Sequence, residues 1–381
     1  MKFIACRLLP VLLILGMGNC LAAPVKPTTG NAAAQQRTMT DRKPAFAYRD
    51  QVLTEDVSWR GEVLVEGTVT IAPQATLTLE PGTVVRFRRT AGNENGGAAL
   101  LVQGRIHARG SNDKPVLFTS AFDGVMAGDW DGIVLLASEK KNLMEHCRVE
   151  GAVTGFEGMF ASLTMKHVQF AACRTGARFR DSSAVIAGGG ANGCGVGLFL
   201  RESEVDIMDA NFSRNRQAVI ATGTSLYLAG TTFSSNEGVA LTADNCRLRI
   251  SGCSFTVNGS GLRLNSCEGS VSASRIDKNT DDGLSLVKSR LKVNGNELSQ
   301  NGKVGLRVAD GGSVAWGNTF SANGDYDLYN AGDEDFIAIG NWWGGVPAST
   351  LGRRIYGRHQ DANRGAVRYI PSLPVRSTSG L

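Results

Sequence analysis

The chain has 381 residues, 42% of them apolar and 7% aromatic, with 47 glycines, which is much chain reversal around little bulky core. Its 40 basic residues stand against 35 acidic ones, a balance too even to imply nucleic acid as a partner. No apolar run reaches the roughly 20 residues that a membrane span requires.

In chain order, Lys2 and Arg7 precede an apolar run from Leu8 through Met17, which exits through Cys20-Leu21-Ala22-Ala23. This is the pattern of a secretory signal peptide over residues 1–22. It predicts an extracytoplasmic protein, periplasmic or secreted, of formal charge +3 once Lys2 and Arg7 are removed. A lipid anchor through Cys20 is the weaker reading, because bulky Asn19 sits where that processing wants a small residue. Residues 23–50 are rich in Ala, Thr, Gln, Pro and Arg without periodicity and read as a flexible leader.

From residue 51 to 345 the chain reads as one solenoid. Short alternating runs around Val69, Ile71, Leu77 and Leu79 are followed by a break at Pro81-Gly82 and a further strand at Thr83 to Phe87. A regular repeat then appears. Phe212, Phe233, Phe255, Ile276, Leu298 and Phe320 are each followed three residues later by an asparagine: Asn215, Asn236, Asn258, Asn279, Asn301 and Asn323. The asparagines are spaced 21, 22, 21, 22 and 22, and Asn192 extends the series upward by 23. Such a period is too short for a propeller blade and includes no helix for a leucine-rich repeat. It predicts an all-β parallel coil, a single-stranded right-handed β-helix of about 22 residues per rung. At a tight corner asparagine tolerates left-handed geometry, and stacked amides can hydrogen-bond along the axis. Residues 346–381 then read as a capping tail.

The segments Ile71 to Phe87, Gly128-Asp-Trp-Asp-Gly-Ile133 and Asn341-Trp-Trp-Gly344 resemble the opening, middle and closing motifs of bacterial exported right-handed β-helix proteins with the pectin-lyase-like fold. That group includes pectin-degrading and alginate-modifying enzymes, adhesin-like proteins and periplasmic copper-processing proteins. The resemblance therefore implies architecture and compartment and leaves activity open.

Asn279-Thr280-Asp281-Asp282-Gly283 resembles part of the polygalacturonase signature, which makes Asp281, Asp282 and Asp325 the candidate catalytic carboxylates. Asp281 and Asp325 each fall two residues after a ladder asparagine, two rungs apart. That is on the order of 9.6 Å, near the separation an inverting hydrolase uses. Lys303 lies between them, so a solvated charge column is the favoured alternative, and the Gly-His-Gly and Arg-x-Lys segments of those enzymes are missing. The four histidines, His107, His146, His167 and His359, form no ligand-spaced motif, and no metal site or cofactor is assigned. Cys246 and Cys267 each precede their ladder asparagine by twelve residues and should stack on adjacent rungs, as a disulfide or as buried thiols. Tyr326, Trp342, Trp343, Arg353, Arg354 and Arg358 gather near the C-terminus as a candidate sugar-binding set, with capping by Trp342 and Trp343 the favoured alternative. The function expected from all this is a non-catalytic scaffold or binding surface for polysaccharide or an envelope protein. The alternatives are a polysaccharide lyase or hydrolase and, more weakly, a maturation factor for a periplasmic metalloenzyme.

Overall fold

The computed structural model describes residues 44–89, 97–138 and 140–375. The expected signal segment, Cys20 and most of the leader lie outside them. The described chain is a parallel β-coil of about 22 residues per turn, every strand pairing with its copy one rung away. One rung shows the plan. Val196–Arg201 lies on a first face, Glu204–Met208 on a second and Asn211–Ser213 on a third, before the chain turns into Gln217–Thr222 on the first face again. Alternation of buried and exposed positions along each strand follows from the pleat. Among the described residues the strand pairing begins at Phe46, opposite Val63, before the expected boundary at 51, and Tyr48 packs on Trp59 at 5.3 Å.

The apolar column runs inside. Phe212, Phe233 and Phe255 stack with ring centroids 5.2 and 4.7 Å apart. At the lower end of the same column Trp343 stacks on Phe320 at 4.7 Å. Beside it, at the corner between the third and first faces, runs the asparagine ladder from Asn215 to Asn323, all six side chains buried. Asn258 shows how a buried amide is satisfied. Its Nδ2 donates to Asn279 Oδ1 (3.1 Å) and to the Phe233 carbonyl (3.1 Å), while its Oδ1 accepts from the backbone N–H (3.1 Å) and Nδ2 (2.7 Å) of Asn236. Every lone pair and proton that burial would penalise is therefore used.

Two expectations about this ladder need correction. Asn192 is not its upper member: it pairs with Ser213, and Cys194 stands above Asn215, its N–H bonded to Asn215 Oδ1 at 2.9 Å. A rung length of 23 was the warning, since the regular rungs are 21 or 22. Nor do the asparagines adopt the left-handed backbone. The residue before each one does so: Arg214, Ser235, Val257, Lys278, Gln300 and Ala322, all with φ of 54–57°. The asparagine can then turn its amide inward. Glycine follows for a matching reason: a Cβ at Gly305 would come within 2.7 Å of Asn323 Nδ2.

A second asparagine ladder, not foreseen, occupies the corner between the second and third faces. Ser274, Asn296, Asn318 and Asn341 are stacked there, Asn318 Nδ2 meeting Asn341 Oδ1 at 2.9 Å. The tail closes the coil by continuing its pairing: Ile355–Tyr356 adds to the first face and Val367–Arg368 to the second.

Candidate functional site

Among the described residues, the candidate site residues and a charged groove fall at three places on the coil. The first is the carboxylate column. Backbone hydrogen bonds stack Asp281, Lys303 and Asp325 directly on successive rungs. Lys303 Nζ lies 2.7 Å from Asp281 Oδ1, both side chains being about half exposed, and Asp281 beside it raises the ammonium pKa. Asp282 turns the other way. Arg307 grips it with Nε at 2.6 Å and a second nitrogen at 3.2 Å, while its Oδ1 also accepts the Val304 N–H. The three carboxylates are thus brought together, with a lysine interposed between Asp281 and Asp325 and an arginine occupying Asp282.

The second is the C-terminal set, and most of it is spent on closing the coil. Trp343 is buried under Phe320, and Trp342 forms a backbone bridge to Thr319. Arg354 binds the buried Asp327 carboxylate, and Arg358 binds Asp335 at 3.0 Å. Asp335, which also accepts the Ala366 N–H and lies beside Arg368, is held below the usual carboxylate pKa, chiefly by that backbone bond. Tyr326 packs against Tyr356, which in turn stacks on Tyr329 at 4.4 Å, with the Arg307 guanidinium 4.7 Å above Tyr329. Arg353 is exposed, and no side-chain partner is recorded for it among the described residues.

The third is a groove that the sequence reading missed. It follows the corner between the first and second faces, encloses about 580 Å³, and touches five successive rungs at residues 223–225, 245–247, 266–268, 288–290 and 311–312. With rungs about 4.8 Å apart, it is on the order of 19 Å long. Its charged lining is Arg247, Glu268, Lys288 and Arg290. Arg247 pairs with Glu268 at 2.9 Å. Lys288 and Arg290 are exposed, and no acidic partner is recorded for either among the described residues. Asn245, Ser225 and Ser266 add neutral polar groups. Arg249, above Tyr227 at 5.5 Å, and Lys292 flank the groove on the second face. The spacing signal was present, since Arg247, Glu268 and Arg290 are 21 and 22 residues apart, but surface columns carry no apolar signature to draw attention to them.

Cys246 and Cys267 sit in the wall of this groove on adjacent rungs, as the spacing predicted, and all six described cysteines are free thiols. The neighbouring Cys267 thiol lowers the pKa of Cys246, against the opposing effect of burial, while the same contact pushes Cys267 up. Cys253 and Cys147, without a thiol neighbour, are pushed up by burial to about 11 and about 12. No group of three or more His, Cys, Asp or Glu side chains able to hold a metal ion occurs among the described residues.

The family model for the right-handed β-helix region matches residues 190–325, and that for the pectate-lyase-like β-helix domain matches residues 51–163. No curated protein matches the sequence. Among solved structures, the periplasmic alginate epimerase AlgG is similar with a TM-score of 0.44 and 9% identity, covering 84% of this chain and 76% of its own. The A-module of mannuronan C-5 epimerase AlgE6 from Azotobacter vinelandii gives 0.37 and 11%, over 83% of this chain and 91% of that one. DFA-IIIase from Arthrobacter chlorophenolicus A6, without its lid, gives 0.33 and 13%, over 82% and 89%.

Proposed function

The chain is a pectate-lyase-like right-handed parallel β-helix, and on that premise we propose that it is a non-catalytic binding protein for an acidic polysaccharide, acting outside the cytoplasm. The observation that carries the reading is the corner groove, whose lining holds three cations, Arg247, Lys288 and Arg290, against the single carboxylate of Glu268. An extended anionic chain would lie along the coil axis and bring its carboxylates past cations repeated at rung spacing. Arginine favours a planar carboxylate through paired N–H donors, and lysine supplies a mobile point charge. Neutral side chains between them can meet sugar hydroxyls.

Cleavage through Asp281, Asp282 and Asp325 has less support. A general acid needs a carboxyl kept protonated near neutral pH, by burial or by a nearby like charge. Here Lys303 occupies one oxygen of Asp281, and Arg307 binds both oxygens of Asp282, so neither carboxyl stands open to a glycosidic oxygen.

Binding of polygalacturonate, alginate and a neutral glucan, measured at low and high salt, tests the reading. The expected result is salt-sensitive binding of the acidic chains, lost in the Lys288→Glu/Arg290→Glu double variant, with no reducing or unsaturated ends released. Equal binding of the neutral glucan would sink it. So would cleavage of an acidic chain that Asp281→Asn abolishes.

A further inference from the structure

His146 and His167 are 21 residues apart, one rung, and the coil brings their imidazoles together. The ring centroids lie 4.8 Å apart at an interplanar angle of 20°. Both rings face a separate cavity of about 410 Å³, lined also by Asn112, Arg148 and Gln169. Both residues adopt left-handed backbone, φ 45° and 52°, as corner residues do in this coil. Histidine is among the few non-glycine types enriched in that region. The next corner residue in the column is Gly188, also left-handed at φ 67°, and a Cβ there would fall 2.5 Å from His167 Nδ1. The absent side chain is what leaves room for the ring.

No hydrogen-bond partner is recorded for any of the four ring nitrogens among the described residues, whereas His107 bonds the Lys141 carbonyl at 3.1 Å. Two paired imidazoles with open nitrogens stand out at a corner whose next positions in the column are Gly188, Asp209, Gly230, Gly252 and Ala273, side chains that are small or absent apart from Asp209. The neighbouring cations do not oppose a positive ligand, since Arg148 is neutralised by Glu150 at 2.7 Å and Lys166 lies 3.8 Å from Glu145.

We propose that His146 and His167 together form a binding site for a divalent transition cation of the Zn²⁺ class, at the cavity they share. Imidazole is a preferred ligand for such ions, and rotation about the soft terminal torsion of each side chain can turn one nitrogen of each ring to a common ion. The Asn112 amide oxygen and water supply the remaining positions, so the site keeps open coordination rather than a closed structural cage. It lies at a different corner from the groove and does not depend on it.

The test uses the untagged full chain with Zn²⁺ alone as probe. Calorimetric titration should show one cation per chain, and Zn²⁺ should raise the melting temperature by linkage to the folded state. His167→Gln, at an exposed position, should fold normally and weaken Zn²⁺ binding by at least about tenfold. His146→Gln should do the same, and His107→Gln should leave binding unchanged. No saturable binding by the parent protein overturns the proposal. So does equal binding by the parent and both single variants, which would assign the ion elsewhere.

Discussion

Asp327 and Arg354 close the end of the asparagine ladder together. Asn323 has no asparagine below it, and its Nδ2 donates instead to Asp327 Oδ1 at 2.7 Å. Asp327 stands in the column of small inward residues that includes Gly283 and Gly305, where a carboxylate takes the place of glycine. Its side chain is 2% exposed, and Arg354 Nε donates to its Oδ2 at 3.1 Å. Arg354 also donates to the Asn323 carbonyl. Removing the arginine leaves a buried, uncompensated charge, a change that typically costs about 3–5 kcal/mol. Arg354→Ala should therefore loosen the C-terminal cap strongly, while Asp327→Asn/Arg354→Met should restore much of the loss. Denaturant unfolding of the three proteins checks this, and a single variant as stable as the parent would refute the capping role.

Val257 points to a stabilising change. It is the only β-branched residue among the six that precede the ladder asparagines, and it holds φ 57° with its side chain 53% exposed. Left-handed geometry costs an ordinary residue roughly 1–2 kcal/mol, and more for one branched at Cβ. Val257→Asn gives up little buried surface and relieves that strain. We expect a gain of about 1 kcal/mol, read as a melting temperature higher by roughly 2 °C.

The two kinds of asparagine should separate cleanly. Asn258→Val deprives the backbone N–H and Nδ2 of Asn236 of their acceptor and the Phe233 carbonyl of its donor, all in the interior. At about 1–3 kcal/mol for each orphaned group, with partial relaxation, the loss should be about 3 kcal/mol or more. Asn192 is half-buried, and its recorded side-chain bond is the one to Ser213 Oγ, so Asn192→Val should cost under about 1 kcal/mol. Equal effects of the two substitutions would contradict the ladder as drawn.

The thiols should sort by column. Cys246 with Cys267, and Cys173 with Cys194, are neighbours on adjacent rungs, whereas Cys253 lies between Thr231 and Ser274 in its column. Oxidised glutathione should convert the first pair to a disulfide in two exchanges: the Cys246 thiolate attacks and releases one reduced glutathione, and Cys267 then displaces the second from the mixed disulfide. A non-reducing digest should then show the Cys246 and Cys267 peptides joined and the Cys253 peptide free. A joined Cys253 peptide, or a Cys246 that resists oxidation throughout, would overturn the assignment.

Much of this molecule was legible in its sequence because a solenoid is nearly one-dimensional: each rung touches only its neighbours, so a column repeats at the rung length. The Phe and Asn columns, the stacking of Cys246 on Cys267 and the Asp281–Lys303–Asp325 column all follow from counting 21 or 22 residues. Counting failed where rungs are irregular or where the direction of a side chain matters. Asn192 lay one rung above the ladder in number but two positions off in register. His146 and His167 carried the rung spacing, yet they were sought as a motif along the chain rather than as neighbours across it. The destinations of Arg354 and Asp282, and the cations left over along the corner groove, were decided only by tertiary structure. Charged side chains are long and choose among several partners within reach, and burial and geometry, not spacing, select one.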